Sequence, residues 1–143
     1  MNSPTISSTS KLIWKEEYSV HVKEIDEQHK GMFAIINSLI DVVDSTPNEA
    51  SISEIIQQIV TYKACHFCTE ENYFEKFNFD GAKEHIEAHK CFNIEIMRIQ
   101  TTHKGDTIKL AFALVDYLEN WLVQHLLSMD KKYVKCFNEH GLY

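Results

Sequence analysis

Four long segments of the chain repeat apolar residues at helical spacing, and this periodicity most constrains the possible fold. In the first segment, over about residues 22–43, apolar side chains recur every three or four positions from Ile25 onward. The chain has only four glycines and two prolines, and several of them fall at the breaks between segments. The pattern predicts an all-α, up-down-up-down antiparallel four-helix bundle preceded by an N-terminal arm.

The breaks carry helix-end signals. After the Thr-Pro-Asn break at residues 46–48, the capping-box pattern from Ser51 to Glu54 predicts the start of the second helix, which we expect to end near Phe77. Gly105 suits the C-terminal stop of the third helix, and Asp106 can cap the fourth. The turns are therefore short, as an antiparallel bundle requires.

The length and composition of the chain limit its class. With 143 residues, of which 44% are hydrophobic, we predict one bundle domain over residues 12–143 and a disordered, Ser/Thr-rich tail over residues 1–11. The formal charge of -7 disfavours nucleic acid and anionic membranes as partners. No stretch approaches the roughly 20 apolar residues of a membrane span.

The N-terminus and the cysteines predict the cellular location. The first ten residues have neither a basic start nor an apolar run, so they do not resemble a signal peptide. The four cysteines lack the regular spacing of a disulfide framework, which is typical of reduced thiols. We predict a cytoplasmic protein.

Several polar side chains lie in helical stripes that are otherwise apolar, where burial without partners would be costly. They are His29, His66, Glu70, His85, His89 and His125. In antiparallel helices, residues equally far from a turn lie at the same depth. His29 and His66 differ by about two residues in this count, or about 3 Å at 1.5 Å per residue. Similar counts bring all four helices to one layer.

The spacing within the helices is that of chelation. His66 and Glu70, like His85 and His89, are four residues apart and share a helix face, so each pair can reach one ion. Asp130 follows His125 by five residues, about 140° round an ideal helix, and joins the site only if the backbone bulges or the helix ends there.

The number and type of these side chains predict the metal. Five imidazoles and two carboxylates exceed what one tetrahedral zinc needs and suit two octahedral ions bridged by the carboxylates. Two irons fit this count best, although the Glu-x-x-His motif of ferritin-like oxidases does not occur. Because neutral imidazoles stabilise high-valent iron less than carboxylates do, reversible dioxygen binding is favoured over oxygenase turnover. We therefore predict that the protein is not an enzyme.

Four sequence motifs carry a family resemblance. Tyr-Ser-Val at residues 18–20 leads to Ile-Asp-Glu-Gln-His at residues 25–29. His-Phe-Cys-Thr-Glu-Glu then occupies residues 66–71, His-Ile-Glu-Ala-His occupies residues 85–89, and Trp-Leu-Val-Gln-His begins residues 121–130. With these motifs in this order, the chain resembles the hemerythrins over about residues 12–133.

The resemblance implies a function in oxygen storage, transport or delivery at an oxo- or hydroxo-bridged di-iron centre that takes dioxygen as its ligand. It implies that one iron is bound by His85, His89 and His125 and the other by His29 and His66, and that Glu70 and Asp130 bridge the two irons. It also implies an oxygen pocket lined by Phe67, Trp121, Leu122 and Leu126. It also implies that local helix distortion brings in Asp130. We predict a monomer, with a homo-oligomer as the open alternative.

Three other readings remain open from the sequence. Cys65 and Cys68 flank His66 in a Cys-x-x-Cys pattern that can mark a redox pair or half of a zinc site. A di-iron centre can also serve an enzyme that acts on peroxide, nitric oxide or ferrous iron. It can equally serve a sensor of oxygen or of the redox state. His21, where the hemerythrins commonly have glycine, is expected to be a solvated surface residue, and His103 and His140 are expected to be bystanders with no role at the site.

Overall fold

A computed structural model of the chain describes residues 11–45 and 48–143, and these fold into an antiparallel bundle of four long helices. The helices are α1 (Lys23–Asp44), α2 (Glu49–Lys76), α3 (Ala82–Thr102) and α4 (Thr107–Ser128). Helix α1 packs against α2 and α4, and α3 packs against the same two helices. The predicted all-α, up-down-up-down bundle is confirmed. Of the predicted tail at residues 1–11, residues 1–10 lie outside the described residues.

The chain continues beyond the four predicted helices. A 3-10 helix (Asp130–Tyr133) follows α4, and a short helix α5 (Val134–Glu139) follows it. No pattern in the sequence predicted α5. Its Phe137 is fully buried and joins an apolar cluster with Phe74 and Tyr133, so α5 closes one end of the bundle.

The predicted N-terminal arm lies along α1. The backbone N–H of Leu12 donates to Oδ1 of Asn37 at 2.7 Å, and Nδ2 of Asn37 donates back to the carbonyl of Leu12 at 2.9 Å. Trp14 and Tyr18 pack edge-on against Phe33, each with ring centroids 5.6 Å apart. A side-chain amide and three aromatic rings therefore fix the arm to the first helix.

The predicted capping box at the start of α2 is wrong. Helix α2 begins at Glu49, and Asn48 is its cap, because Oδ1 of Asn48 accepts from the backbone N–H of Ala50 at 2.9 Å and of Ser51 at 3.1 Å. Asn48 has the extended backbone of an N-cap residue, whereas Ser51 already lies within the first turn. An asparagine three residues earlier thus starts the helix before the box.

The other predicted cap is present. Oδ1 of Asp106 accepts a hydrogen bond from the backbone N–H of Lys109 at 3.1 Å, which caps α4 as expected. Gly105 lies in the preceding turn with a φ of 88°, a left-handed conformation that glycine adopts without a steric penalty. Helix α3 ends earlier, at Thr102, so Gly105 belongs to the turn between α3 and α4 and does not end the helix directly.

The interior contains two apolar clusters, and on α1 and α2 the residues of the polar layer lie between the residues of one cluster and those of the other. On α1, Ile25 belongs to one cluster and Met32 to the other, with His29 between them. On α2, Phe74 and Phe67 are divided in the same way by Glu70. Among the described residues, every helix is too short or too polar to serve as a membrane-spanning segment.

Candidate metal centre

The structure brings the seven predicted ligands into one buried layer of the bundle. His29 comes from α1, His66 and Glu70 from α2, His85 and His89 from α3, His125 from α4, and Asp130 from the 3-10 helix that follows α4. None of the seven is more than 6% exposed to solvent. The expectation that all four helices meet at one layer is confirmed.

Asp130 reaches the layer because α4 ends before it. The last residue of α4 is Ser128, Met129 is its C-cap, and the tighter 3-10 helix begins at Asp130. A residue five positions after His125 would point away from it on a continuous α-helix. The predicted local distortion is therefore present, and it leaves the Asp130 carboxylate fully buried among the histidines.

The nitrogen and oxygen atoms form two clusters that share a carboxylate. The first contains Glu70, His85, His89 and His125, and the second contains His29, His66, Glu70 and Asp130. Within each cluster, one potential ligand atom from every residue lies within 4.8 Å of the others. Glu70 belongs to both, with its Oε1 atom 3.1 Å from Nε2 of His89 and 3.4 Å from Nε2 of His66.

Asp130 also extends between the two clusters. Its Oδ1 atom lies 3.0 Å from Nε2 of His85 and 3.0 Å from Nε2 of His125. Its Oδ2 atom lies 3.1 Å from Nε2 of His29, on the other side. One oxygen thus faces each group of histidines, which is the geometry that a bridging carboxylate needs.

The imidazole nitrogens have the spacing of neighbouring ligands on one ion. Nε2 of His29 lies 3.0 Å from Nε2 of His66, and the Nε2 atoms of His85 and His125 are also 3.0 Å apart. Two nitrogens about 2.1 Å from an ion and at right angles to each other are about 3.0 Å apart. The nitrogens of each ring pair are therefore close enough to bind one ion together.

Several buried atoms at the centre have no hydrogen-bond partner among the described residues. Those that face the clusters are Oε1 of Glu70, Nε2 of His89 and both carboxylate oxygens of Asp130. Unpaired buried polar groups are rare because each costs free energy. Cations would satisfy these lone pairs, so the donor set fits metal ions.

The electrostatic surroundings shift the pKa values of His66 and His89 in opposite directions. Burial lowers the pKa of His66 to about 4, and the nearby Glu70 carboxylate only partly opposes this effect. Burial also acts to lower the pKa of His89, but Glu70 and Glu71 outweigh it and raise that pKa above its usual value. A neutral imidazole is the form that binds metal, so the environment of His66 favours the ligand form over a wide pH range.

The two shared carboxylates favour their ionised form. Burial acts to raise the pKa of Asp130, but His125, His29 and His85 outweigh it and hold the pKa well below its usual value. The pKa of Glu70 is also lowered, since its histidine neighbours outweigh burial and the nearby Asp130. Both side chains are therefore held as acceptors in the form that binds cations.

Three hydrogen-bond partners of the predicted ligands were missed by the sequence analysis. Oε1 of Gln28 lies 2.7 Å from Nδ1 of His66, and Oε2 of Glu71 lies 2.7 Å from Nδ1 of His89. The hydroxyl of Tyr133 donates to Oε2 of Glu70 at 2.6 Å. Such outer contacts fix the orientation of metal ligands. The only sequence signal was that Gln28 and Glu71 directly adjoin predicted ligands.

Apolar side chains cover the rings of two histidines of the first cluster. Phe67 stacks on the ring of His89 with centroids 3.7 Å apart, and Trp121 stacks on His125 at 4.3 Å. Leu122 is 3% exposed, and Leu126 is fully buried. All four residues lie in or against the same apolar cluster of the bundle.

The cysteines lie outside the two clusters. Cys65 and Cys68 are exposed, whereas His66 between them is buried, so the thiols point away from the layer. All four cysteines of the chain lie in its described part, and each is a free thiol. The alternative in which Cys65, Cys68 and His66 together bind zinc has no support from this geometry.

The remaining histidines are also separate from the centre. His21 and His140 are exposed, His103 is half-buried, and none of the three belongs to either cluster of the described residues. His21 has a φ of 56° and lies before α1, which begins at Lys23. His21 is exposed, as expected, and His103 and His140 lie outside the ligand clusters, as expected of bystanders.

Comparison with known proteins shows similarity over most of the chain. Residues 20–137 match the family described as the hemerythrin HHE cation binding domain. The chain is 32% identical over 120 residues to a hemerythrin-like protein of Naegleria gruberi, covering 84% of this chain and 88% of that protein. It is 29% identical to the myohemerythrin of Sipunculus nudus, covering 85% and 89% respectively.

Two further comparisons extend the similarity to bacteria and to a solved structure. The bacteriohemerythrin of Pseudomonas aeruginosa is 27% identical over 128 residues, covering 86% of this chain and 79% of that protein. A crystal structure of a hemerythrin point mutant superposes with a TM-score of 0.79 and 24% identity, covering 87% of this chain and 95% of that one. The structural likeness supports the four-helix-bundle fold.

Proposed function

The chain belongs to the hemerythrin family, and we propose that it binds dioxygen reversibly at a non-haem, oxo- or hydroxo-bridged di-iron centre. One observation carries this proposal: two clusters of nitrogen and oxygen donors share Glu70, while the two oxygens of Asp130 face opposite clusters. Carboxylates shared between two donor clusters can hold two ions at a short distance from each other.

The histidines are unequally divided between the two ions. In this proposal His85, His89 and His125 would hold one ion, and His29 and His66 would hold the other, with Glu70 and Asp130 common to the two. The second ion would have one protein ligand fewer, which would leave a position for dioxygen. Iron at this centre would supply the electrons that reduce dioxygen on binding and recover them on release.

The residues around the donors keep water out. Phe67 and Trp121 stack on ligand rings, and Leu122 and Leu126 are buried behind them. An apolar enclosure protects a bound oxygen molecule from protonation and loss as a reduced product. The nitrogen-rich donor set also favours reversible binding over oxygenase turnover. We therefore propose a binding protein for storage, transport or delivery of dioxygen and not an enzyme.

Two further proposals concern the state of the protein in the cell. Four free thiols are typical of a reducing compartment, which favours the cytoplasm. We propose that the chain acts as a monomer, because all seven candidate ligands come from one chain and the bundle buries them without a second copy. Size-exclusion chromatography combined with light scattering tests the monomer directly.

Cycling the oxygen concentration tests the proposed function. We expect protein loaded with ferrous iron under nitrogen to gain a visible absorption band when oxygen is admitted and to lose it when oxygen is removed, over repeated cycles. Catalase and superoxide dismutase in the buffer serve as controls against oxidation by released reduced oxygen species. Irreversible oxidation at the first exposure would contradict reversible binding and point to an enzyme or a sensor.

A further inference from the structure

Two ring nitrogens that face away from the clusters have hydrogen-bond partners of different charge. Nδ1 of His66 lies 2.7 Å from Oε1 of Gln28, and Nδ1 of His89 lies 2.7 Å from Oε2 of Glu71. Gln28 and Glu71 are both half-exposed, on the flank of the bundle. The first partner is a neutral amide and the second is a carboxylate, so the two ligand rings differ in their surroundings.

A chain of hydrogen bonds assigns the proton on His66. The hydroxyl of Thr69 donates to the carbonyl of Cys65 at 3.1 Å, so its lone pair accepts from Nε2 of Gln28, also at 3.1 Å. This orients the amide of Gln28 with Oε1 towards His66. Nδ1 of His66 therefore carries the proton and donates it, and Nε2 presents its lone pair to the cluster.

The tautomer of His89 is assigned in the same way. A carboxylate only accepts hydrogen bonds, and Oε2 of Glu71 lies 2.7 Å from Nδ1 of His89. Nδ1 of His89 therefore donates to Glu71. Its Nε2 atom is buried, without a hydrogen-bond partner among the described residues, and lies 3.1 Å from Oε1 of Glu70.

We propose that Glu71 and Gln28 are positioning residues that make the two ions of the centre electronically unequal. An imidazole that donates to a carboxylate gives more electron density to its metal than one that donates to an amide. Through His89, Glu71 stabilises the oxidised form of its ion, whereas Gln28 leaves the ion beside His66 easier to reduce. This inference rests on the proposed di-iron function and assigns the redox balance of that centre to two residues outside the ligand set.

The inequality has a consequence for oxygen binding. The ion beside His66 is the one with fewer protein ligands, so it has the position that dioxygen would occupy. A neutral outer partner favours the reduced form of that ion, which is the form that binds oxygen. The charged partner, Glu71, lies instead beside His89, one of the three histidines of the other cluster.

Two substitutions that change charge and hardly change shape test this assignment. Glu71→Gln removes the carboxylate beside His89, and Gln28→Glu introduces one beside His66. Glu75→Gln and Gln58→Glu are matched controls, because both residues are exposed on α2 and touch neither cluster of the described residues. The readouts are the midpoint reduction potential of the iron-loaded protein, the iron affinity, and the histidine tautomers from proton–nitrogen NMR after iron is removed.

We expect the midpoint potential to rise in Glu71→Gln and to fall in Gln28→Glu, with both controls close to the unaltered protein. Loss of the outer partner in Glu71→Ala should weaken iron binding about 10- to 100-fold. NMR of the unaltered chain should show His66 and His89 protonated at Nδ1. The inference is overturned if both charge changes shift the potential no more than their controls, or if Nδ1 of either ring carries no proton.

The same experiment separates this inference from the proposed function. If the unaltered chain binds two irons and oxygen reversibly but its potential is insensitive to residues 28 and 71, the function stands and the inference fails. If the unaltered chain does not bind two irons, the proposed function fails and the inference fails with it. If Glu71 had only a structural role, its substitution would change the stability of the protein, but Glu71→Gln and Gln28→Glu would not shift the reduction potential in opposite directions.

Discussion

The hydroxyl of Tyr133 donates a 2.6 Å hydrogen bond to Oε2 of Glu70, and both side chains are fully buried. Burial, together with the Glu70 carboxylate, raises the pKa of Tyr133 well above its usual value, so the hydroxyl keeps its proton and remains a donor. Oε1 of Glu70, the other oxygen, faces the histidines. Tyr133 thus fixes which oxygen of the shared carboxylate is available to both clusters.

We expect Tyr133→Phe to destabilise the protein by about 1–3 kcal/mol, because Oε2 of Glu70 would lose its partner in a buried site. Urea denaturation of the iron-loaded protein measures the free energy of unfolding. Tyr73→Phe is the matched control, since it removes a hydrogen bond from a tyrosine to the exposed carboxylate of Glu24. Equal destabilisation by the two substitutions would show that the buried contact to Glu70 has no special weight.

Removal of single ligands should reduce the iron content in a residue-specific way. His29→Ala should leave about one iron per chain, because the cluster with three histidines stays complete. Glu70→Ala should leave less than one, because Glu70 belongs to both clusters. His103→Ala, outside both clusters, serves as control and should retain two irons. An iron content of two in Glu70→Ala, measured by plasma emission spectroscopy, would argue against a shared carboxylate.

After chelation of the metal, the protein should lose stability on acidification through His66. Its pKa is about 4 in the folded state and about 6.5 when unfolded, so the unfolded chain takes up the proton first. This contribution is fully present above pH 6.5 and is lost as the pH falls towards 4. It amounts to about 3 kcal/mol. His66→Asn should show a correspondingly smaller decrease in unfolding free energy between pH 7 and pH 4.

His89 acts in the opposite direction and must be separated from this effect. Its raised pKa contributes stability below its unfolded value, and that contribution is lost as the pH rises through the folded value. The comparison with His66→Asn isolates His66, since His89 is common to both proteins. Equal pH dependence of the two proteins would contradict the lowered pKa of His66.

Trp121 should protect bound oxygen. Its ring stacks on His125 at 4.3 Å, so Trp121→Ala should admit water and accelerate the irreversible oxidation of the oxygenated protein. The decay of the visible absorption band in air gives the rate. Trp14→Ala is the matched control, because Trp14 is the other tryptophan of the chain and packs on Tyr18 and Phe33 in the N-terminal arm. An unchanged decay rate would exclude a protective role for Trp121.

The ligand layer was predictable because its residues violate the pattern around them. A histidine such as His29 or a glutamate such as Glu70 in an apolar helical stripe must be buried, and burial of several such groups requires a common partner. Helix lengths then place them at one depth. Whether Asp130 joins the layer depends on where the fourth helix ends, and residue spacing alone does not determine that end.

The outer contacts were not predictable in the same way. Gln28 and Glu71 lie on half-exposed positions where polar residues are ordinary, so no pattern is broken. Whether they reach a ring nitrogen depends on side-chain rotamers and on the rotation of neighbouring helices. The position of Tyr133 depends on the 3-10 helix that follows α4, and the start of α2 at Asn48 depends on competition between two possible caps.

A crystal structure of the iron-loaded protein with anomalous scattering at the iron edge tests the central claim most directly. We predict two iron peaks in one chain, on either side of Oε1 of Glu70, each in contact with one oxygen of Asp130. The three histidines from α3 and α4 should surround one peak, and His29 and His66 the other. A single peak, or two peaks that do not share Glu70, would contradict the di-iron centre.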